Sequence, residues 1–201
     1  MQKRALIRNT VFALMAGATL AVSVGTAAFA ADLDMAAING MDRGAFVEKF
    51  GGIFEHSPWV AEQAWDKKPF ADLDQMHAAM VGVARFAPAP QQLALLQSHP
   101  DLAGKEAQAG AMTASSVTEQ ASAGLNALSK DEMTQISDLN AAYKKKFGFP
   151  FIIAVRMHTK EGIFFEFRRR LQNDTATEYA NDLQNVYAIT RLRLVKLLQS
   201  N

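Results

Sequence analysis

From about residue 33 onward, apolar residues return every three or four positions, and a helix start signal precedes run after run. A period near 3.6 rather than 2 means that the chain buries stripes along helices, not faces of a sheet. Phe46, Phe50, Ile53 and Phe54 form the first stripe, with Gly51-Gly52 inside it marking a break or a close helix contact. Ser57-Pro58 reads as an N-cap with proline at the first helical position, which predicts a short helix over Trp59 to Trp65. Leu73, Met76, Met80 and Val83 mark another helix, ended by Ala87-Pro88-Ala89-Pro90, and Gln91 to Gln97 a further one. Later starts carry the S/T-x-x-E pattern of a capping box: Ser116 to Glu119, Ser129 to Glu132 and Thr175 to Glu178. No repeat, low-complexity tract or long linker interrupts the series. The expectation is an all-α, single-domain helical bundle.

One stretch resists assignment. Phe149-Pro150-Phe151-Ile152-Ile153-Ala154-Val155 is a short continuous apolar run, and its periodicity fits a buried extended segment as well as the start of a buried helix.

The first thirty residues stand apart from the bundle. Lys3, Arg4 and Arg8 precede an uncharged apolar stretch, Val11 to Val24, and Ala28-Phe29-Ala30 has the small-x-small form of a cleavage site. This is the pattern of a secretory signal peptide over 1–30, cut after Ala30, which leaves a domain over 31–201 in the periplasm or outside the cell. A retained anchor fits less well, because Gly17, Thr19, Ser23, Gly25 and Thr26 dilute the apolar run below the ~20 residues a spanning helix needs. Cleavage subtracts three positive charges and no negative ones, moving the formal net charge from +1 to −2. The mature chain therefore has no basic excess for nucleic acid and no membrane segment. Without cysteine, thiolate nucleophiles, thiolate zinc sites and iron-sulfur clusters are excluded.

Among the histidines at 56, 77, 99 and 158, His99 has the distinctive position, at the exit of a leucine-rich helix and ahead of Pro100. A histidine meeting the helix C-terminal dipole accounts for it as well as a catalytic group does. Glu119 is likewise explained as the N3 carboxylate of a capping box with Ser116, while Gln120 beside it is not. Arg156 ends an apolar run and must reach solvent, a carboxylate or an anionic ligand. On the last helix, Arg193 and Arg191 fall on opposite margins of the apolar stripe, where snorkelling is the ordinary outcome. One histidine, one carboxylate, one carboxamide and two arginines would suit a small polar anion.

The motifs Phe54-Glu55-His56-Ser57-Pro58-Trp59-Val60-Ala61, Ser98-His99-Pro100-Asp101-Leu102-Ala103-Gly104, Ser116-Val117-Thr118-Glu119-Gln120 running on to Leu125, Leu139-Asn140-Ala141-Ala142-Tyr143, Lys146 to Ile152, and Leu192-Arg193-Leu194 follow one another in order. Together they resemble the 2-oxo-4-hydroxy-4-carboxy-5-ureidoimidazoline (OHCU) decarboxylase family over about residues 33 to 198. The resemblance implies a commonly homodimeric helical fold, without metal or organic cofactor, that converts a small ureide to (S)-allantoin and carbon dioxide. It implies His99, Glu119 and Arg193 as catalytic residues, with Arg191 two positions away as the competitor for the arginine. Pro100, Ser116, Val117, Thr118, Glu119, Gln120 and the stretch Ile152, Ile153, Ala154, Val155, Arg156 are implied to bind substrate. On this reading His99, with the ordinary imidazole pKa of about 6.5, donates the proton. Glu119 accepts from the ureido group or holds the His99 proton, Gln120 and the 152–156 backbone read the amide edges, and Arg193 counters the anionic charge. Met157, where family members often have a small residue, and the signal peptide are departures from the family pattern.

Two other functions fit the composition. A periplasmic helical binding or chaperone-like protein would use the 9 Met and 13 Phe for partners, although at helical spacing they read as core. A family member that has lost activity would bind ureides without turning them over.

Overall fold

The computed structural model describes residues 34–199. The signal peptide expected over 1–30 lies outside the described residues. Ten α-helices follow one another, with no strand among the described residues: α1 (Met35–Gly40), α2 (Arg43–Phe50), α3 (Trp59–Trp65), α4 (Leu73–Arg85), α5 (Ala89–Gln97), α6 (Lys105–Gln108), α7 (Ala114–Ser122), α8 (Lys130–Phe147), α9 (Lys160–Arg170) and α10 (Thr175–Gln199). The all-α bundle expected from the apolar period is what forms. None of these helices is long and apolar enough to cross a membrane.

The stripes read from the sequence are the core. Phe46, Phe50 and Phe54 pack with Met76 and Met80, and α3 sits against both α2 and α4. At the other end Tyr143, Phe147, Phe149, Phe151 and Phe167 form an aromatic group, in which Phe151 stacks on Phe167 with ring centroids 3.9 Å apart. The long α10 runs past α4, α5 and α8 and contributes Val186, Ile189 and Leu194 to the interior. Among the described residues the exposed large apolar side chains are Phe86 just after α4, Val117 on α7, Met157 in a 3-10 turn and Phe165 on α9.

Gly51 caps α2, and a Cβ there would meet the Val47 carbonyl oxygen at 2.5 Å, so the Gly51-Gly52 pair does end the helix. Of the three expected capping boxes only Ser129–Glu132 forms. At α7 the cap is Thr113, whose hydroxyl accepts the Ser116 N–H, because both Ser116 and Glu119 are drawn inward to a buried arginine. At α10 Asp174 accepts the Thr177 N–H, and Glu178 is taken by Arg170. Charge-assisted bonds to a buried guanidinium outweigh a surface cap. The helix Trp59–Trp65 forms as expected, but its N-cap is Pro58 with no side-chain bond, and Ser57 is buried in the preceding turn.

The ambiguous run over 149–154 forms neither helix nor strand and then enters a single 3-10 turn, Val155–Met157. A cluster behind it settles this conformation. Asp182 Oδ1 accepts the Ile152 N–H at 3.0 Å, Arg170 Nη1 donates to the Ile152 carbonyl at 2.9 Å, and Asn185 Oδ1 accepts the Ala154 N–H at 3.0 Å. Arg170 also binds Glu178 and Asp182, and the Tyr143 hydroxyl donates to Glu178. Side chains of α9 and α10 thus supply partners for backbone groups that lie outside any helix or sheet.

Candidate active site

His99 is held by the end of α5. The helix stops at Gln97, Pro100 prevents its continuation, and the imidazole folds back so that Nδ1 lies 2.9 Å from the Leu95 carbonyl oxygen. A carbonyl only accepts, so Nδ1 carries the proton and Nε2 of the neutral ring is a bare acceptor. Nε2 is buried and has no partner among the described residues. Burial lowers the His99 pKa to about 4, although the Glu55 charge and the Leu95 carbonyl work in the opposite direction. The ring is therefore fully neutral at pH 7, where an ordinary imidazole of pKa about 6.5 would still be about one quarter protonated. The helix-end histidine and the candidate catalyst are the same arrangement: the C-terminal carbonyl fixes the tautomer that frees Nε2. By contrast, His56 and His158 are exposed, and His77 Nε2 contacts the Tyr187 carbonyl and the Thr190 hydroxyl.

The segment after His99 is gripped from two sides. Gln120 Oε1 accepts the Ala103 N–H at 2.8 Å and its Nε2 donates to the Asp101 carbonyl, while Asn140 Nδ2 donates to the Leu102 carbonyl. Ala103 has φ of +48°, a left-handed value that such contacts must enforce. Gln120 thus spends its carboxamide on the loop carrying His99, not on an open amide-reading edge.

Opposite stands Arg193, buried on α10. Its Nε and Nη2 donate to the two oxygens of Glu119, both at 2.8 Å. Nη1 donates to Glu55 Oε2 at 2.6 Å and to the Ile53 carbonyl, and Nη2 also donates to Ser116 Oγ. A guanidinium has five N–H donors, and all are engaged. In this arrangement all the donors of Arg193, which the family resemblance assigned to countering the anionic charge, go to internal partners. The competing Arg191 pairs with Asp74 at the surface. Glu119, held by both oxygens, retains lone pairs toward the cavities it lines.

His99, Pro100, Ser116, Glu119, Gln120, Ile152, Ile153, Val155 and Arg193 come together around one narrow cavity of about 30 Å³, with Phe151, Leu102 and Ile189 completing the wall. A wider cavity of about 440 Å³ shares Glu119 and Arg193 with it and is lined by Lys49, Thr118 and Arg156. Lys49 and Arg156 form no ion pair among the described residues. Four sequence candidates lie off the narrow cavity. Val117 is 46% exposed, since helical geometry turns it away from the face of Ser116, Glu119 and Gln120. Thr118 reaches only the wider cavity, Arg156 lines both it and a small recess beside it, and Ala154 lies on that recess. Asp182 and Asn185 of α10 take the amides of Ile152 and Ala154, whereas the Ile153 and Val155 N–H groups have no partner among the described residues.

Glu55 is the site residue that sequence reasoning missed. It is buried in the turn before α3, accepts from the Thr113 and Ser116 hydroxyls, and pairs with Arg193. Burial pushes its carboxyl up, but Arg193, His99 and the Thr113 hydroxyl together hold it below the ordinary carboxylate value. The available signal was a lone carboxylate directly following the apolar Ile53-Phe54. No group of three or more His, Cys, Asp or Glu side chains among the described residues could hold a metal ion.

A family model described as OHCU decarboxylase matches residues 39–195. A 2-oxo-4-hydroxy-4-carboxy-5-ureidoimidazoline decarboxylase of Mus musculus is 39% identical over 166 residues, covering 83% of this chain and 93% of the relative. One of the same name from Haloferax volcanii is 38% identical over 169 residues, covering 84% of this chain and 98% of the relative. A crystal structure of (S)-allantoin synthase superposes with a TM-score of 0.66 at 28% identity, over 81% of this chain and 53% of that one, so this chain spans about half of it. A crystal structure of OHCU decarboxylase in the presence of (S)-allantoin superposes with a TM-score of 0.59 at 20% identity, over 80% of this chain and 100% of that one, and shares the fold.

Proposed function

The chain belongs to the OHCU decarboxylase family and is a carboxy-lyase of urate degradation, and we propose that it forms (S)-allantoin and carbon dioxide and that His99 moves the proton this reaction requires. The substrate carries its carboxylate and a hydroxyl on one ring carbon, beside the carbon bearing the ureido group. When the carbon-carboxylate bond breaks, its electron pair enters the conjugated ring, where a ring nitrogen takes a proton from solvent. The hydroxyl then becomes the carbonyl of the product as its proton leaves, and the ureido-bearing carbon gains a proton on one face.

A neutral imidazole with a free Nε2 suits that exchange: it takes the hydroxyl proton, is briefly imidazolium, and returns the proton to the adjacent carbon. His99 is thus an acceptor first and a donor second. Glu119, fixed by Arg193, accepts from the ureido N–H groups, and the Ile153 and Val155 amides donate to a carbonyl of the substrate. With Arg193 saturated, the scissile carboxylate meets no free cation in the narrow cavity, which disfavours the charged reactant relative to departing carbon dioxide. Lys49 and Arg156 in the wider cavity draw the anion in.

The observation that carries this reading is the buried, unpartnered Nε2 of His99 facing the cavity that Glu119 lines. His99→Ala, supplied with freshly generated OHCU and followed by circular dichroism of allantoin, is expected to lose at least about 10²-fold in kcat while keeping its helical content. Near-wild-type turnover would remove His99 from this role. The chaperone-like alternative is not favoured, because the Met and Phe stripes are core.

The basic residues Lys3, Arg4 and Arg8, the apolar stretch and Ala28-Phe29-Ala30 support export of the mature chain, beginning at Ala31, to the periplasm or medium. Amino-terminal sequencing of the protein recovered there checks this. The homodimer common in the family is the assembly proposed here, and sedimentation velocity of the purified chain tests it.

A further inference from the structure

Glu55 lines neither cavity, yet it is bound to three side chains that do, Thr113, Ser116 and Arg193. Its Oε1 accepts the Thr113 hydroxyl at 2.8 Å and the Ser116 hydroxyl at 2.9 Å, and its Oε2 accepts Arg193 Nη1 at 2.6 Å. One side chain thus joins the turn after α2, the first turn of α7 and the middle of α10. The backbone at Glu55 has φ of +50°, in the left-handed region that non-glycine residues seldom occupy. Such a conformation persists where the surrounding contacts over-determine it, and it concentrates at functional sites.

The charge count gives this carboxylate a second task. Arg193 carries one positive charge against the two negative charges of Glu55 and Glu119, so the cluster holds one negative charge in excess while His99 is neutral. Glu119 is chelated through both oxygens by Arg193, whereas Glu55 shares only one with it. Inside a low-dielectric site the excess charge acts strongly on a neighbour that becomes cationic. Glu55 and His99 each favour the charged form of the other.

We infer that Glu55 is a positioning residue of the decarboxylase, locking Arg193 against Glu119 and Ser116 and stabilising the imidazolium that His99 forms during proton transfer. The inference rests on the assignment of proton transfer to His99. Glu55→Gln keeps an acceptor for Thr113 and Ser116 but removes the charge and the oxygen that accepts from Arg193, while Glu55→Asp keeps the charge on a shorter arm. Steady-state kinetics with freshly generated OHCU in H2O and D2O, with circular dichroism as a check on folding, separate the roles. Glu55→Gln is expected to lower kcat by about 10- to 100-fold, with KM within about threefold because Glu55 touches no substrate. Its solvent deuterium isotope effect on kcat is expected to rise, since the proton step becomes slower, while Glu55→Asp keeps the wild-type isotope effect and most of kcat. Three results overturn the inference: wild-type kcat in Glu55→Gln, a lower kcat with an unchanged isotope effect, or a Gln variant that does not fold, which would make Glu55 part of the scaffold. His99→Ala retaining activity sinks the function assigned to His99; an unchanged isotope effect in Glu55→Gln sinks this inference alone.

Discussion

The described residues bury two arginines, each between two carboxylates, and the clusters differ in what they leave unbound. Behind the 149–154 strap, Arg170 is closed in by Glu178 and Asp182 with the Tyr143 hydroxyl, its guanidinium lying over the Phe151 ring at 4.5 Å. Glu178 and Asp182 side chains have no solvent exposure, and neither lines a cavity described above. At the other cluster, the Glu119 side chain is 10% exposed at the edge of two cavities, beside an imidazole nitrogen with nothing to bind. The excess negative charge is handled differently too. In the rear cluster burial pushes Asp182 up to about 7, outweighing Arg170 and the Ile152 N–H, so that carboxyl tends to take a proton. In the front cluster Glu55 stays ionised. A buried ion cluster is therefore no sign of a site by itself; a spare acceptor next to space is.

The sharpest way to break this comparison is to remove each arginine. Arg170→Met leaves two carboxylates in a closed interior and frees the Ile152 carbonyl, and is expected to cost about 3–5 kcal/mol of folding stability. Arg193→Met leaves Glu119 at a cavity edge where water can reach it, so a smaller stability loss is expected together with a fall in kcat of at least about 10²-fold. Urea denaturation and turnover of both variants, measured at a temperature where each is folded, decide. Equal stability losses, or wild-type turnover in folded Arg193→Met, would erase the distinction between scaffold and site.

Both clusters show where sequence reading succeeds and where it stops. The helices over 59–65 and 73–85 and the core of Phe46, Phe50 and Phe54 were legible because burial repeats at the helical period. Motif order nominated His99, Glu119 and Arg193. What stayed hidden was side-chain pairing between elements. Glu119 and Glu178 read locally as capping residues, and only the fold brings Arg193 across 74 residues to the first and Arg170 to the second. The same blindness made His99 an ordinary imidazole, since its low pKa comes from burial and not from its neighbours in sequence. Glu55 was quoted inside a motif but had no local pattern to give it a task.

A finer test of the contrast is the pH dependence of stability, in which the clusters pull in opposite directions. His99 has a native pKa of about 4 against an ordinary 6.5, so between these values the unfolded chain binds more protons. Its contribution is present above pH ~6.5 and lost as pH falls toward ~4, about 3 kcal/mol at most at 1.36 kcal/mol per unit. Asp182 is raised from 3.8 to about 7, so its contribution is present below pH ~3.8 and lost as pH rises through ~7. Relative to wild type, His99→Ala is expected to tilt stability downward with rising pH between ~4 and ~6.5, and Asp182→Asn to tilt it upward. Parallel curves for the two variants would show that the clusters do not titrate oppositely.

Arg156 extends the comparison to an arginine that is neither buried nor paired, and the smallest effect is expected there. Exposed at the wider cavity, it attracts an anion through a field that salt screens over about 10 Å at 0.1 M. Such an interaction is made equally with the bound substrate and the transition state. Arg156→Gln is therefore expected to raise KM about three- to tenfold at low ionic strength and leave kcat unchanged. Adding salt should raise the wild-type KM toward that of the variant, so that the gap narrows. A fall in kcat with KM unchanged would instead place the Arg156 guanidinium against the charge that develops in the reaction, moving it from the entrance into the chemistry and making it the free cation that Arg193, with its donors all engaged, is not.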